Sequence, residues 1–197
     1  MNEKKIPRRQ QILETLAMEL EKSPGKSITT AGLAKSVGVS EAALYRHFAS
    51  KAKMYDALIE FMEESVFGFI NRILADERSA IARCEKILGL MLGFAQKNPG
   101  LTRLLTGDVL IGETERLRKR IDKFFERLET QLKQVLREGQ ANKEFDANLP
   151  VSEQANLLTS VIQGRLLQFV RSEFKSLPLT YWDRQWPMLM LNLSDHA

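Results

Sequence analysis

Between Thr29 and Lys51 the chain reads TTAGLAKSVGVSEAALYRHFASK, and its chemistry is concentrated there. The residue types suit contact with a polyanion better than a reaction. Ala42 and Ala43 are short enough for a helix backbone to sit deep in a DNA major groove and can pack on thymine methyls, while Arg46 can reach guanine or phosphate. Tyr45, His47 and Lys51 supply donors for phosphate oxygens, contacts that fix register and carry little sequence information. Thr29, Thr30 and Ser40 place hydroxyls at the starts of two short segments, where open backbone N–H groups also favour a phosphate. Upstream, Lys4, Lys5, Arg8 and Arg9 form a basic arm that can follow the backbone or enter the minor groove.

Two short helices must position these groups. Thr29 or Thr30 caps the first and Ser40 the second, while Gly38 sits where a tight turn favours positive φ. Ala34 is small where the helices touch, and Leu33, Val37, Val39 and Leu44 make the shared core. Such a pair, joined by a turn containing glycine, is a helix-turn-helix. A plain αα-hairpin has the same features, and charge placement weighs between the two readings. Through Lys53, ten basic residues stand against five acidic ones; the rest of the chain carries 19 basic and 20 acidic residues. The head, residues 1–53, therefore carries +5 and a near-neutral body of −1 follows over 54–197, which together give the net +4.

Helical periodicity runs from end to end and strand alternation is absent, so the fold class is all-α. Ile12, Leu13, Leu16, Ala17 and Leu20 line one face of a helix opened by Pro7 and stopped by Ser23-Pro24-Gly25. The spacing predicts a long helix from Ser50 to about Leu74, another over Ser79 to Lys97, and a restart with Asn98 as N-cap and Pro99 at N1. Leu117, Ile121, Phe124, Leu128, Leu132 and Val135 recur at steps of three and four on one amphipathic helix, and Gly139 to Leu149 reads as loop. From Pro150 to about Phe174 the pattern is apolar on two sides. Leu158, Ile162, Leu166 and Val170 make one stripe; Leu157, Val161, Gly164 and Phe169 lie partly on another. One stripe is enough to join a core, so the second, with Gly164 allowing close approach, is available to a neighbouring helix. A last short helix is expected around Trp182 to Leu193.

Several function classes are excluded by what the sequence lacks. Cys84 is the one cysteine, which rules out an intrachain disulfide framework and reads as a small buried hydrophobe. With only His47 and His196, no metal cluster or histidine-based triad is assembled, so no catalytic residue, metal ligand or cofactor is assigned. Gly25-Lys26-Ser27 imitates the end of a phosphate loop, but Leu20 stands where the first glycine belongs and no strand precedes it. Gly89-x-x-x-Gly93 reads as a close helix contact. The apolar run Ile87 to Ala95 is far short of the ~20 residues that span a bilayer. The N-terminus lacks the apolar segment of an export signal. A cytoplasmic, non-enzymatic protein that makes no membrane contact is expected.

Over Ser36 to Phe61, SVGVSEAALYRHFASKAKMYDALIEF, the chain resembles the TetR family of regulators, most specifically in the LYxHF-x-SK pattern joining the recognition helix to the fourth helix. That resemblance implies a homodimer of nine to ten helices per chain, with three N-terminal helices on double-stranded DNA and a body that dimerises through two late helices. The dimer surface would then use Ile121, Phe124 and Leu128 together with Leu157, Val161 and Gly164. NPGLTRLLTGD (Asn98–Asp108), FERLETQLKQVLRE (Phe125–Glu138) and FVRSEFK (Phe169–Lys175) extend the resemblance, over nearly the whole chain, to a branch of the family that acts in nucleoid occlusion. Membership of that branch would imply nucleoid association through palindromic chromosomal sites. It would also imply binding, while on DNA, to the division protein FtsZ, chiefly through the FtsZ C-terminal tail. Positions matching the tail groove are Phe61, Leu90, Gly93, Lys97 and Asn98. There Phe61 and Leu90 offer apolar area, Gly93 leaves room for an extended peptide, and Lys97 can meet an acidic tail. Three positions depart from the branch pattern: Phe69 and Lys97 stand where arginines are implied, which weakens bidentate pairing with carboxylates, and Asp108 stands where a histidine is implied. The alternative within the same family is a ligand-responsive repressor, in which helices four to eight enclose a small molecule whose binding shifts the DNA-reading heads.

Overall fold

The computed structural model describes residues 7–190. Among them are nine α-helices, one 3-10 turn and no strand. The first three helices, α1 (Arg8–Lys22), α2 (Thr30–Val37) and α3 (Glu41–His47), follow from local signals. Pro7 precedes α1, and its carbonyl accepts from the N–H groups of Gln10 and Gln11. Buried Ile12, Leu16 and Leu20 fall four residues apart on one face of α1. Thr29, rather than Thr30, caps α2: its hydroxyl oxygen accepts from Gly32 N–H at 3.1 Å. Ser40 caps α3 in the same way through Ala43 N–H, also at 3.1 Å. Gly38 closes α2 at φ +76°, a left-handed conformation that other residues adopt only at a cost.

The remaining elements are α4 (Lys51–Asp76), α5 (Ala80–Lys97), α6 (Pro99–Thr106), a 3-10 turn (Asp108–Leu110), α7 (Glu115–Ala141), α8 (Val151–Arg171) and α9 (Trp182–Met190). Two boundaries differ from the sequence expectation. The helix α7 continues through Gly139, because the space a side chain would need there is filled by the Phe145 ring and the Ala80 methyl. The helix α8 stops at Arg171 instead of Phe174: Glu173 and Phe174 take φ of +53° and +66°, and the Phe174 ring turns back onto Phe169 at 5.2 Å between centroids.

The chain divides into two compact units. The first comprises the residues up to Met62 together with Asn98–Ile121; the second comprises Glu63–Lys97 and the residues from Asp122 onward. The described part of the expected head (1–53), residues 7–53, lies within the first unit, which also takes in the start of α4, all of α6 and the start of α7. What draws α6 into that unit is its packing on α1. Gly100 lies so close to α1 that an added Cβ would overlap the Ala17 carbonyl oxygen. Three residues on, Arg103 is 1% exposed and its guanidinium reaches the carbonyls that end α1. It donates to Leu20 O at 2.9 Å, Ser23 O at 2.7 Å and Lys26 O at 3.2 Å, and to Asp108 Oδ2 at 2.8 Å. A helix leaves its last carbonyls without intrahelical partners, and here one buried cation serves that of Leu20, the C-cap carbonyl of Ser23 and that of Lys26 in the loop beyond. Asp108 thus neutralises a buried charge.

In the second unit α5 packs against α8. Leu158, Ile162 and Leu166 of α8 are fully buried, as are Cys84, Ile87, Leu88 and Met91 of α5. Burial pushes the Cys84 thiol up to about 12, with Glu144 adding to the effect, so the residue stays a neutral hydrophobe. Glu144 also caps α5, accepting from Ala80 N–H and the Ser79 hydroxyl, both at 2.8 Å. The Phe67 ring meets Phe124 at 5.2 Å and carries the Arg127 guanidinium at 3.8 Å.

Candidate nucleic-acid interface

Leu44 and Phe48 are buried and anchor α3, which turns the other side of this short helix outward. Ala42, Tyr45, Arg46 and His47 are exposed on it, and Ala43 is half-buried. The two N-cap oxygens, on Thr29 and Ser40, accept from the backbone, which leaves each O–H able to donate to a phosphate. The Thr30 hydroxyl donates to Glu41 Oε2 at 3.0 Å, fastening the first turn of α2 to the first turn of α3 and occupying a carboxylate that would repel DNA. Arg9 lies over the Phe48 ring at 4.9 Å and Arg8 donates to Gln11 at 2.9 Å, so part of the basic arm is held on α1. Lys4 and Lys5 lie outside the described residues.

Lys51 is engaged within the chain. Its ammonium is 2.6 Å from Glu113 Oε1, donates to Ile28 O at 3.3 Å and lies 5.7 Å from the Tyr55 ring centroid. One turn further, Asp56 accepts from Arg116 at 2.6 Å and Arg120 at 2.9 Å. Partial burial pushes the Asp56 carboxyl up, but the two guanidiniums outweigh it and hold the group below its ordinary value. These ion pairs fasten the first turns of α4 to the start of α7. Sequence reasoning missed Arg103, Tyr55 and Glu113. For Arg103 a signal existed, a single cation inside the apolar stretch LTRLLT.

The positions matched to a partner groove lie on three helices and are described one by one. Phe61 is 52% exposed on α4, and Phe69, two turns on, is 50% exposed beneath the Arg72 guanidinium at 5.5 Å. Leu90, half-buried, Gly93 and exposed Lys97 fall at spacings of three and four on α5. Gly93 is less open than expected. A Cβ there would meet Leu179 Cδ1 at 3.9 Å, and Gln96 holds that segment by accepting from Leu179 N–H at 3.4 Å. Gly89 borders Trp182 in the same manner, and at both glycines a Cβ would make only an ordinary van der Waals contact, so the close helix contact expected from their spacing is not what the structure has there. Asn98 takes the N-cap position of α6, where its carbonyl accepts from the N–H and hydroxyl of Thr102.

The candidate dimer residues separate into two groups. Ile121, Phe124 and Leu128 are buried within the single chain, so the apolar stripe of α7 serves the protomer core instead of an outer face. Phe169 is likewise buried. On α8, by contrast, Leu157 and Leu167 are 48% and 44% exposed, Val161 is half-buried and Gly164 is open, with nothing within 4 Å of a Cβ position. An open cleft of about 580 Å³ adjoins this stripe, bordered by Val161, Gly164, Leu177 and Tyr181.

Residues 12–58 match the bacterial regulatory proteins of the tetR family, and residues 78–194 match the tetracyclin repressor-like C-terminal domain of the SlmA-like type. The chain is 57% identical over 193 residues, 98% of each protein, to the nucleoid occlusion factor SlmA of Marinomonas sp. (strain MWYL1). Against the nucleoid occlusion factor SlmA of Shewanella sp. (strain W3-18-1) it is 54% identical over 189 residues, 96% of each. Among solved structures, the MbdR regulator from Azoarcus sp. CIB superposes with a TM-score of 0.80 at 19% identity, covering 95% of this chain and 99% of that one. A TetR transcription regulator from Haloarcula marismortui ATCC 43049 gives 0.78 at 19%, covering 94% and 97%. At such identities these two structures establish the fold alone, whereas the full-length similarity to the two curated proteins places the sequence within a branch. With its helix-turn-helix head and helical body, the chain belongs to the SlmA family of nucleoid occlusion factors within the TetR-type bacterial regulators.

Proposed function

We propose that this protein is a homodimeric nucleoid occlusion factor that reads palindromic chromosomal sites and, while on DNA, binds the C-terminal tail of FtsZ and antagonises the septal ring over the nucleoid. The observation that carries the DNA part is the outward face of α3, where Ala42, Tyr45, Arg46 and His47 stand exposed between two hydroxyl-capped helix starts. Short residues lead and cations follow, the order that lets a helix enter the major groove by its N-terminal end. The basic arm, of which Arg8 and Arg9 are described, adds backbone contact. No step in this function requires a cofactor or a reaction.

Fluorescence anisotropy with a labelled palindrome, its half-sites about one helical turn (~34 Å) apart, tests the reading head. Affinity is expected to fall steeply with salt as counterions are released. Replacing Thr29 and Arg46 together by alanine removes a phosphate donor and a base or phosphate donor, and a loss of at least about tenfold is expected at ~1–3 kcal/mol per good contact. Undiminished affinity in the double variant would contradict the proposed face.

Dimerisation is assigned to the open stripe of α8, Leu157, Val161, Gly164 and Leu167. A self-complementary face with a glycine at its centre lets two copies of one helix approach closely across a two-fold axis. Lysines at both Leu157 and Leu167 would place like charges against their own copies. Sedimentation velocity is expected to show the wild type as a dimer and this variant as a monomer, with weaker binding to a two-half-site DNA. A dimer that survives the double lysine substitution would move the interface elsewhere.

A further inference from the structure

Tyr55 is fully buried at the first turns of α4, yet among the described residues its hydroxyl finds no hydrogen-bond partner. A buried hydroxyl left unmade is costly, and such a group in a packed core calls for a reason. Its surroundings supply one. Burial, then the charge of Glu113, raise the phenol to about 12; Arg103 opposes them and Asp108 adds to them. The Glu113 carboxylate that acts on Tyr55 is taken by Lys51, whose ammonium lies 2.6 Å from Glu113 Oε1 and 5.7 Å from the Tyr55 ring centroid. Lys51 follows the recognition helix by only four residues and is itself a candidate for a phosphate. One cation thus has two competing anions, and the buried phenol lies near enough to the carboxylate that Lys51 holds to feel that charge.

We propose that Lys51, Glu113 and Tyr55 form a DNA-operated latch: a backbone phosphate draws Lys51 away from Glu113, and the freed carboxylate accepts the hydrogen bond of the Tyr55 hydroxyl. This rests on the DNA-binding reading above and adds its regulation. In the arrangement described, the Lys51 pair ties the first turn of α4 to the loop before α7 and, through Ile28 O, to the segment before α2. Asp56 with Arg116 and Arg120 holds the next turn of α4 to α7 in either arrangement. The exchange therefore changes one fastening at the edge of the head and leaves its neighbour in place. Glu113 is only 15% exposed, so a carboxylate abandoned there without a new donor would resist release of the lysine. The phenol removes that obstacle.

The test compares DNA affinity and thermal stability in Tyr55→Phe, Glu113→Gln and Lys51→Ala, all in the full chain. Tyr55→Phe deletes a hydroxyl that has no partner among the described residues, so its melting temperature is expected to equal or exceed the wild type. Its DNA affinity is expected to fall by about tenfold or more, the loss of one hydrogen bond to a charged acceptor. Glu113→Gln is expected to tighten DNA binding severalfold in the wild-type background and to have no effect once Lys51 is alanine, a coupling read from the double-mutant cycle. Lys51→Ala is expected to lower the slope of log K against log salt by about one. Tyr55→Phe binding DNA as tightly as wild type would overturn the latch, and so would weaker binding by Glu113→Gln, which would make Glu113 a support for Lys51 instead of its competitor. Either result leaves wild-type palindrome binding untouched, so failure of the latch is distinguishable from failure of the DNA-binding reading.

Discussion

Replacing Arg103 by alanine is expected to lower the unfolding free energy by about 3–5 kcal/mol, the range for breaking a buried charged pair by removing one partner. The guanidinium is 1% exposed and serves four acceptors: the carbonyls of Leu20, Ser23 and Lys26 and the carboxylate of Asp108. Its loss leaves Leu20 O unsatisfied at the end of α1 and opens a cavity on the α1 side of α6. For a chain of this length the midpoint of thermal unfolding is expected to fall by about 8–15 °C, at ~2–4 °C per kcal/mol. Circular dichroism on heating and denaturant titration both read this. Asp108→Asn supplies the comparison. It keeps an oxygen for the guanidinium and removes only the charge of a side chain that is 28% exposed, so the loss is expected to be well under half as large. Equal stability of Arg103→Ala and wild type would refute the view that this residue fastens α6 to the head. The histidine implied at position 108 by the family resemblance is replaced here by a group that pairs directly with that buried cation.

Gly100→Ala is the second substitution with a large expected effect, and two opposed terms decide its sign. In a helix interior alanine normally gains about 0.5–1 kcal/mol over glycine. Here the added methyl would overlap the Ala17 carbonyl oxygen and crowd Glu21 N at 3.1 Å. Those are backbone atoms of α1, which cannot rotate aside as a side-chain tip does, so α1 and α6 must part along their length. Overpacking costs of about 1–3 kcal/mol arise even where side chains can adjust. A net loss above about 3 kcal/mol is expected, with DNA binding lost as α1 moves. Gly68→Ala is the control, since nothing lies within 4 Å of its Cβ position and the helix gain is unopposed. A stable, DNA-binding Gly100→Ala protein would show that α1 and α6 are not held at this distance.

Much of the reading head is legible in the sequence because it is built by local rules. Ser40 caps α3, Gly38 turns the chain, and Leu33 and Leu44 alternate inward with exposed Arg46 and His47, all within 25 residues. Helix existence is equally local: Pro7, Pro99 and Pro150 each stand at a helix start. What periodicity does not reveal is which helix an apolar stripe meets. Phe124 and Leu128 have the spacing of an interface, but the same spacing serves a core, and Phe124 meets Phe67 of the same chain. The inclusion of α6 in the unit that holds the head was also hidden, because it depends on Gly100 against Ala17 and on Arg103 reaching Leu20, partners about 80 residues apart. The Lys51–Glu113 pair spans a similar gap. Long-range pairing leaves no mark on local periodicity, whereas an arginine among leucines does leave one.

The positions proposed to meet a partner depart from expectation more than those of the head. Leu179 beside Gly93 narrows the room a peptide would have there, and exposed Phe69 adds apolar area on α4 where a cation was implied. A tail bound on such a surface would depend more on burial and less on salt than one clamped by two arginines.

The central claim is that a DNA-bound dimer engages the FtsZ tail, and titration of a labelled FtsZ C-terminal peptide tests it most directly. The peptide is added to the wild-type protein with and without saturating palindromic DNA, and to the variants Phe61→Ala and Leu90→Ala. Saturable binding is expected, tighter with DNA present and weakened about tenfold or more by either alanine, given ~1.5–3 kcal/mol for a large apolar contact. Absence of peptide binding by the wild type both with and without DNA would contradict the account and favour the ligand-responsive repressor.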